Sequence, residues 1–362
     1  MKLVYYLVFA LWYALSLLPL RVLYLLSDLL YFPLYHVVRY RRGVVRKNLT
    51  ASFPEKSTAE IVRIEKQFYA FFCDYVVETL KQFSMSEEQM RRRMTFSGTE
   101  DIIRDMEREG KSFTFIYLGH YCNWEWIASM PYWFPGDVSC GQIYHPLYNK
   151  AFDQLFLKLR SQYGARCIAM KETLRRIIEM RRQGGKHVIG FISDQSPKWN
   201  SIHHFTPFLH QDTPVFIGTE KIGRQMDALI YFADVPRPRR GHYHCHLYRM
   251  VDDIGQVKEY EVTDLYMQHL EQMICRAPQY WLWSHNRWKR TRAEWEKRMQ
   301  EKAGKLSSSS VAIYTSTGYA PGLTEIDSAL RAKSSERYIN NGSATTIWPE
   351  FNFNRPISFR VI

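Results

Sequence analysis

The sequence predicts an α/β domain, a central sheet flanked by helices, with an N-terminal membrane anchor ahead of it. Three observations carry that prediction. Short β-branched and aromatic runs alternate with amphipathic helical stretches over residues 113–233. Two of those runs end in polar residues, His120 and Asp194, where open α/β sheets gather their chemistry. Ahead of them, residues 3–20 (LVYYLVFALWYALSLLPL) carry no charge and are just long enough to cross a bilayer.

Composition narrows the class. A chain of 362 residues that is 46% hydrophobic can bury a sizeable core as one large domain with additions. Aromatics reach 15%, with 24 Tyr and 10 Trp, as in proteins that work at membrane interfaces. A net charge of +13 favours an acidic partner: an anionic membrane, an acidic carrier protein or nucleic acid. No helix-turn-helix, zinc-finger or RNA-recognition signature appears, which puts nucleic acid last. The six cysteines are scattered without a C-x-x-C pair and read as reduced thiols of a cytosol-facing domain.

In chain order, residues 1–42 form the anchor region. The second apolar stretch, 22–38, is broken by Asp28, Pro33 and His36 and suits an interfacial helix better than a second span. Arg39, Arg41, Arg42, Arg46 and Lys47 follow at once. By the positive-inside rule this cluster stays cytoplasmic, predicting a single-pass inner-membrane protein whose body faces the cytoplasm. Residues 43–298 make the α/β domain. Helices are expected at 44–53, 57–83, 86–94 and 101–109, the last ended by Gly110, with a turn at Phe96-Ser97-Gly98. Strands are expected at 113–118, 138–143, 167–169, 187–192 and 228–233, and helices at 149–163, 173–182, 213–224 and 263–275. His242, His244 and His246 share strand spacing with Cys245; lacking a fourth ligand, they read as a polar strand face rather than a metal site. The run 278–289 (PQYWLWSHNRWK) is either an aromatic core plug or an interfacial lip. Residues 299–362 begin as the end of a charged helix (294–305) and then turn rich in Ser, Thr, Asn and Gly, a composition that predicts little fixed structure.

The chemistry concentrates in GHYCNWE, residues 119–125. His120 lies at a strand end, Asn123 is a good helix N-cap, and Trp124 to Ala128 can form the first helical turn. On one continuous helix, side chains five residues apart splay by about 140°. With the bend between them, His120 and Glu125 can face each other, and a carboxylate holds an imidazole in one tautomer as a better base. The bland alternative is a hydrogen-bonded polar histidine at a strand end.

Several blocks together resemble the late acyltransferases of lipid A biosynthesis, within the lysophospholipid acyltransferase superfamily. They are the N-terminal anchor; Arg46-Lys47-Asn48-Leu49 with Phe53-Pro54-Glu55; residues 119–125; Arg160 with Tyr163-Gly164; Asp194-Gln195-Ser196; and residues 280–289. The resemblance covers residues 1–298 and implies a single glycerolipid-acyltransferase-like domain. It implies transfer of a fatty acyl chain from acyl carrier protein to a hydroxyl of a lipid A precursor at an anionic membrane, with no metal or nucleotide cofactor. In that reading His120 is the base and Glu125 orients it. Asn123, Arg160 and Asp194 are substrate-site residues: Asn123 positions the loop, Arg160 meets a glycolipid phosphate, and Asp194 supports the site from the next strand. The family's glycine between His and Asn is Cys122 here. Cys122 as a nucleophile ranks below the His base, since the family mechanism has no acyl-enzyme step. The alternatives are an aminolipid or lysophospholipid acceptor, or a non-catalytic lipid-binding protein.

Overall fold

The computed structural model describes residues 2–317. The chain opens with helices α1 (Lys2–Leu17), α2 (Leu20–Phe32), α3 (Arg42–Ser52), α4 (Thr58–Lys81) and α5 (Glu87–Arg93). Then come β1 (Met94–Ser97), α6 (Thr99–Glu109), β2 (Phe113–Leu118), β3 (Val138–Tyr144), α7 (Lys150–Ser161), β4 (Arg166–Ala169), α8 (Thr173–Gln183) and β5 (Lys186–Ile192). After these follow β6 (His204–Phe208), β7 (Gln211–Val215), α9 (Gly218–Met226), β8 (Leu229–Asp234), β9 (Tyr243–Val251), α10 (Glu261–Arg276) and α11 (Arg292–Thr317).

Local chemistry explains the boundaries. α4 starts at Ser57, whose hydroxyl accepts the Glu60 N–H while the Glu60 carboxylate returns to the Ser57 N–H; α5 repeats this with Ser86 and Gln89. α6 ends at Gly110 in the left-handed conformation, φ 63°.

The main sheet has seven strands in the order β1-β9-β8-β2-β5-β3-β4. From β8 to β4 the neighbours are parallel, while β9 is antiparallel to β8 and parallel to β1. β2 is buried along its whole length, as a central strand covered on both faces must be. β6 and β7 form a separate antiparallel hairpin.

Two expectations are corrected here. Phe96 and Ser97, expected in a turn, belong to strand β1, recruited by β9 through Met94↔Tyr243; of the expected turn residues only Gly98 bends, at φ 85°. The first part of the helix expected over 213–224 is β7; the helix, α9, starts only at Gly218. Of the three histidines, His244 and His246 lie on β9 while His242 precedes it; His244 is held by Thr95 and Ser97 at 2.8 and 2.9 Å and His246 by Ser97 at 2.9 Å. Among the described residues no cluster of His, Cys, Asp and Glu is arranged to hold a metal ion.

The N-terminus takes a form different from one straight span. α1 and α2 are bent by 116° at Leu18-Pro19, and no single helix among the described residues is long and apolar enough to cross a membrane. α1 lies on the domain: Trp12 packs edge-on to Phe83 and Phe156, and Lys81 Nζ reaches the Ser16 carbonyl at 2.8 Å. The outer face of the pair still exposes Leu11, Leu17, Leu25, Leu29 and Phe32.

The aromatic run 280–288 is a core plug. Trp281, Leu282 and Trp283 are buried, and Asn48 of α3 donates to the Trp283 and His285 carbonyls at 3.0 and 2.8 Å. At the other end, α11 continues through the serine run 307–310; the rest of the Ser- and Asn-rich tail, 318–362, lies outside the described residues.

Candidate active site

β2 and β5 are parallel neighbours with Leu118 opposite Ile192. His120 and Asp194 each lie two positions beyond those paired residues, so strand register alone brings them side by side. His120 Nδ1 is 2.6 Å from Asp194 Oδ1. Asp194 Oδ2 accepts the His120 backbone N–H and the Trp281 indole N–H, both at 2.8 Å. Both partners are buried. Burial raises the Asp194 carboxyl, but the His120 charge and these hydrogen bonds outweigh it and lower it to about 2. A carboxylate that stays ionised beside Nδ1 fixes the proton there and leaves Nε2 as the basic nitrogen. Gly119 makes the approach possible, since a Cβ at that position would sit 2.6 Å from Leu270 Cδ1 and 3.4 Å from Asp194 Oδ2.

The bend after His120 is held from two sides. The Leu282 N–H donates to the His120 carbonyl at 3.1 Å and the Cys122 N–H to the Tyr280 carbonyl at 3.0 Å. Cys122 itself has φ 52°, a left-handed conformation that costs a non-glycine residue about 1–2 kcal/mol. A glycine at this position would carry no such cost. The Cys122 thiol is fully buried and pushed well up by burial, which makes it a poor nucleophile. On the far side, Asn123 Oδ1 accepts the Trp126 N–H at 3.2 Å, a tie within the bend. The helix that follows is a 3-10 helix, Trp126–Trp133, with Pro131 inside it; its N-cap is Glu125, without a side-chain cap, and not Asn123 as expected. The Asn123 amide points away from the cavity and donates to Glu78 Oε2 at 2.8 Å.

Glu125 takes a different partner from the one expected. Its two oxygens receive Arg160 Nη2 at 2.6 Å and Nε at 2.8 Å, a fork-to-fork pair buried on both sides. The carboxylate on His120 Nδ1 is that of Asp194. Arg160, assigned to a glycolipid phosphate, faces Glu125 inside the protein. His120, Glu125 and Arg160 nonetheless meet in one cavity. Its remaining walls are largely apolar, including Leu118, Ile127, Met130, Ile143, Met170 and Ile192 with Gly141 and Gly190. Its interior volume is about 70 Å³, a narrow pocket that opens onto the surface.

Three residues that contact the site were given no individual role from the sequence. Gln195 Nε2 lies 3.3 Å from His120 Nε2, on the reactive side of the ring. Trp281 is tied to Asp194, and Glu78 to Asn123. Gln195 and Trp281 stood in blocks that carry the resemblance, without a partner those blocks could name; Glu78 carried no local signal.

A basic histidine backed by a buried carboxylate at the head of an apolar cavity is equipped to deprotonate a hydroxyl beside a hydrocarbon-bearing substrate. A family model described as bacterial lipid A biosynthesis acyltransferase matches residues 1–290. Comparison with curated proteins finds none that matches.

Proposed function

The chain belongs to the bacterial lipid A biosynthesis acyltransferase family, and from that premise we propose that it moves a fatty acyl chain from an acyl carrier protein thioester to a hydroxyl of a lipid A precursor. The observation that carries this reading is the His120–Asp194 pair opening onto an apolar cavity. The hydrocarbon chain lies along Leu118, Ile127, Met130 and Ile143, with its thioester carbonyl beside His120. His120 Nε2 takes the proton of the acceptor hydroxyl as its oxygen attacks the carbonyl carbon. Asp194 stabilises the imidazolium that forms. Gln195 Nε2, adjacent to His120 Nε2, is the donor placed to meet the oxyanion. Collapse breaks the C–S bond, and the imidazolium proton passes to the departing thiolate, releasing the carrier as a free thiol. The Glu125–Arg160 pair ties the end of the 120–125 bend to α7 in the cavity wall.

Charge and surface support the same reading. Lys198 is lowered by burial and then by the nearby cations Lys171 and Arg290, and Arg290 donates to Ser196 Oγ at 3.2 Å. An acceptor phosphate or an acidic carrier relieves this crowding, next to the Asp194-Gln195 strand end. The exposed apolar face of α1 and α2 seats the protein in the headgroup boundary of the cytoplasmic leaflet, as interfacial helices do.

The test is transfer of labelled acyl groups from acyl carrier protein to a tetra-acylated lipid A precursor, beside His120→Ala. Product with the native chain and none with the variant is expected. His120-dependent product only on a lysophospholipid or aminolipid changes the acceptor. Free fatty acid formed at the same rate without any lipid acceptor makes the protein a thioesterase and overturns the proposal.

A further inference from the structure

One buried carboxylate is not used by the chemistry above. Glu78 of α4 is 0% exposed. Its Oε1 accepts the Tyr24 hydroxyl at 2.8 Å; its Oε2 accepts the Asn123 amide at 2.8 Å and the Tyr243 hydroxyl at 2.7 Å. Its backbone carbonyl accepts the Trp126 indole N–H at 3.2 Å. Arg237, itself paired to Asp74 at 2.7 Å, lies 3.8 Å from Oε1 as counter-charge. Every side chain around Glu78 donates, so the position requires an acceptor-only group. A carboxylate there costs desolvation that an apolar residue avoids, and it is sustained by donors from α2, β9 and the catalytic bend.

Asn123 is the pivot. Its Oδ1 accepts the N–H of Trp126, the first residue of the following helix, and its amide is fixed by Glu78. The residue before it, Cys122, is in a conformation disfavoured for a side chain, so the bend relies on ties at both ends. One end is tied to the Tyr280 carbonyl; the other is Asn123 on Glu78. We propose that Glu78 is a positioning residue for His120: by holding Asn123 it fixes the bend that aims the imidazole into the cavity. The proposal rests on His120 being the base of the proposed transfer.

The test swaps donor for acceptor across the contact. Asn123→Asp sets a carboxylate against Glu78 Oε2, and repulsion in the buried site drives the bend apart. Adding Glu78→Gln restores a complementary pair: the new amide at position 78 donates to the new carboxylate at position 123, at unchanged net charge beside Arg237. In the folded N123D variant kcat is expected to fall about 100-fold, the size of effect that misplacement by about 1 Å produces. KM for the acyl donor stays within about threefold, because the apolar cavity is untouched. In E78Q/N123D, kcat is expected to recover to within about tenfold of native, where a misplaced group regains most of its effective concentration. Should N123D fail to fold by thermal melting, Asn123→Ala removes the tie without adding charge and is expected to show the same kcat loss. Native kcat in folded N123D or N123A overturns the proposal. So does a double variant that regains its melting temperature but not its kcat. His120→Ala in the same assay separates the two readings: activity surviving there sinks the base assignment itself, whereas an inactive H120A beside a fully active N123D sinks only the role of Glu78.

Discussion

Asp194→Asn probes the site most directly. The native carboxylate accepts three N–H groups, from the His120 ring, the His120 backbone and Trp281. Asparagine keeps the shape but offers one acceptor oxygen. With that oxygen towards Nδ1, its NH2 confronts the His120 backbone N–H and the Trp281 indole. Turned round, it donates to Nδ1, and the ring proton moves to Nε2, where it blocks base chemistry. Loss of the imidazolium partner with the wrong tautomer costs a His–carboxylate pair about 10³–10⁴ in kcat, equivalent to about 4–5.5 kcal/mol of barrier. Stability carries a second signature. Asp194 is lowered from 3.8 to about 2 in the folded state, so its ionised form stabilises the fold above the unfolded value. That contribution, about 2 kcal/mol, is lost as pH falls from about 4 to about 2. Acyl-transfer kcat in detergent micelles, with urea midpoints at pH 7 and pH 3, measures both. D194N is expected to lose at least about 10³ in kcat and to shed the acid-dependent part of its stability. A folded D194N within tenfold of native kcat, beside an inactive Glu125→Gln, refutes the reasoning and returns the orienting role to Glu125.

Other expected outcomes follow from the same geometry. Arg160→Ala leaves the buried Glu125 carboxylate uncompensated and should cost about 3–5 kcal/mol in urea unfolding, whereas Glu125→Leu with Arg160→Leu should recover most of it; equal losses in both would show that the pair is not energetically coupled. Cys122→Gly relieves the left-handed strain and should retain transfer within a few fold, with intact mass showing no acyl-enzyme on the native chain; an acylated Cys122 would contradict the His-base mechanism. Gly190→Leu builds a side chain against Leu118 in the cavity wall and should shift donor preference to shorter acyl chains in a competition assay; an unchanged preference would move the chain out of this cavity. Leu25→Ser with Leu29→Ser removes apolar surface from α2 and should weaken flotation with anionic vesicles; undiminished flotation would place membrane contact elsewhere.

Where neighbouring residues decide a structure, the sequence was informative. Ser57 with Glu60 marks the start of α4, Gly110 the end of α6, and the run FTFIYL is the fully buried β2. Asn123 Oδ1 bonds the backbone three residues on, and His120 falls just past the end of its strand as its surroundings indicate. Each of these rests on contacts within one turn of chain or on a short apolar period. Misreadings arose where a distant partner overrides that local signal. Residues 94–97 have too short a pattern to declare a strand and become one by pairing with β9. The N-terminal apolar run is a different case: its span-like length is divided at Pro19 between α1 and α2, a bent pair that together still has the length and apolarity of a broken span, with Trp12 packed against Phe83 and Phe156.

The site divides the same way. Sequence alone determined that a histidine and a glutamate flank a bend between a strand and a helix, and that Arg160 and Asp194 belong near them. It did not determine who partners whom. His120 meets a carboxylate 74 residues away and Glu125 a guanidinium 35 residues away, while Asn123 turns to Glu78, 45 residues earlier. Those choices follow from the register Leu118↔Ile192 and from how α4 and α7 lie against the bend. Side-chain pairing across such separations is fixed by tertiary packing, because the backbone leaves every one of these polar groups several chemically suitable partners and only their positions in space select one.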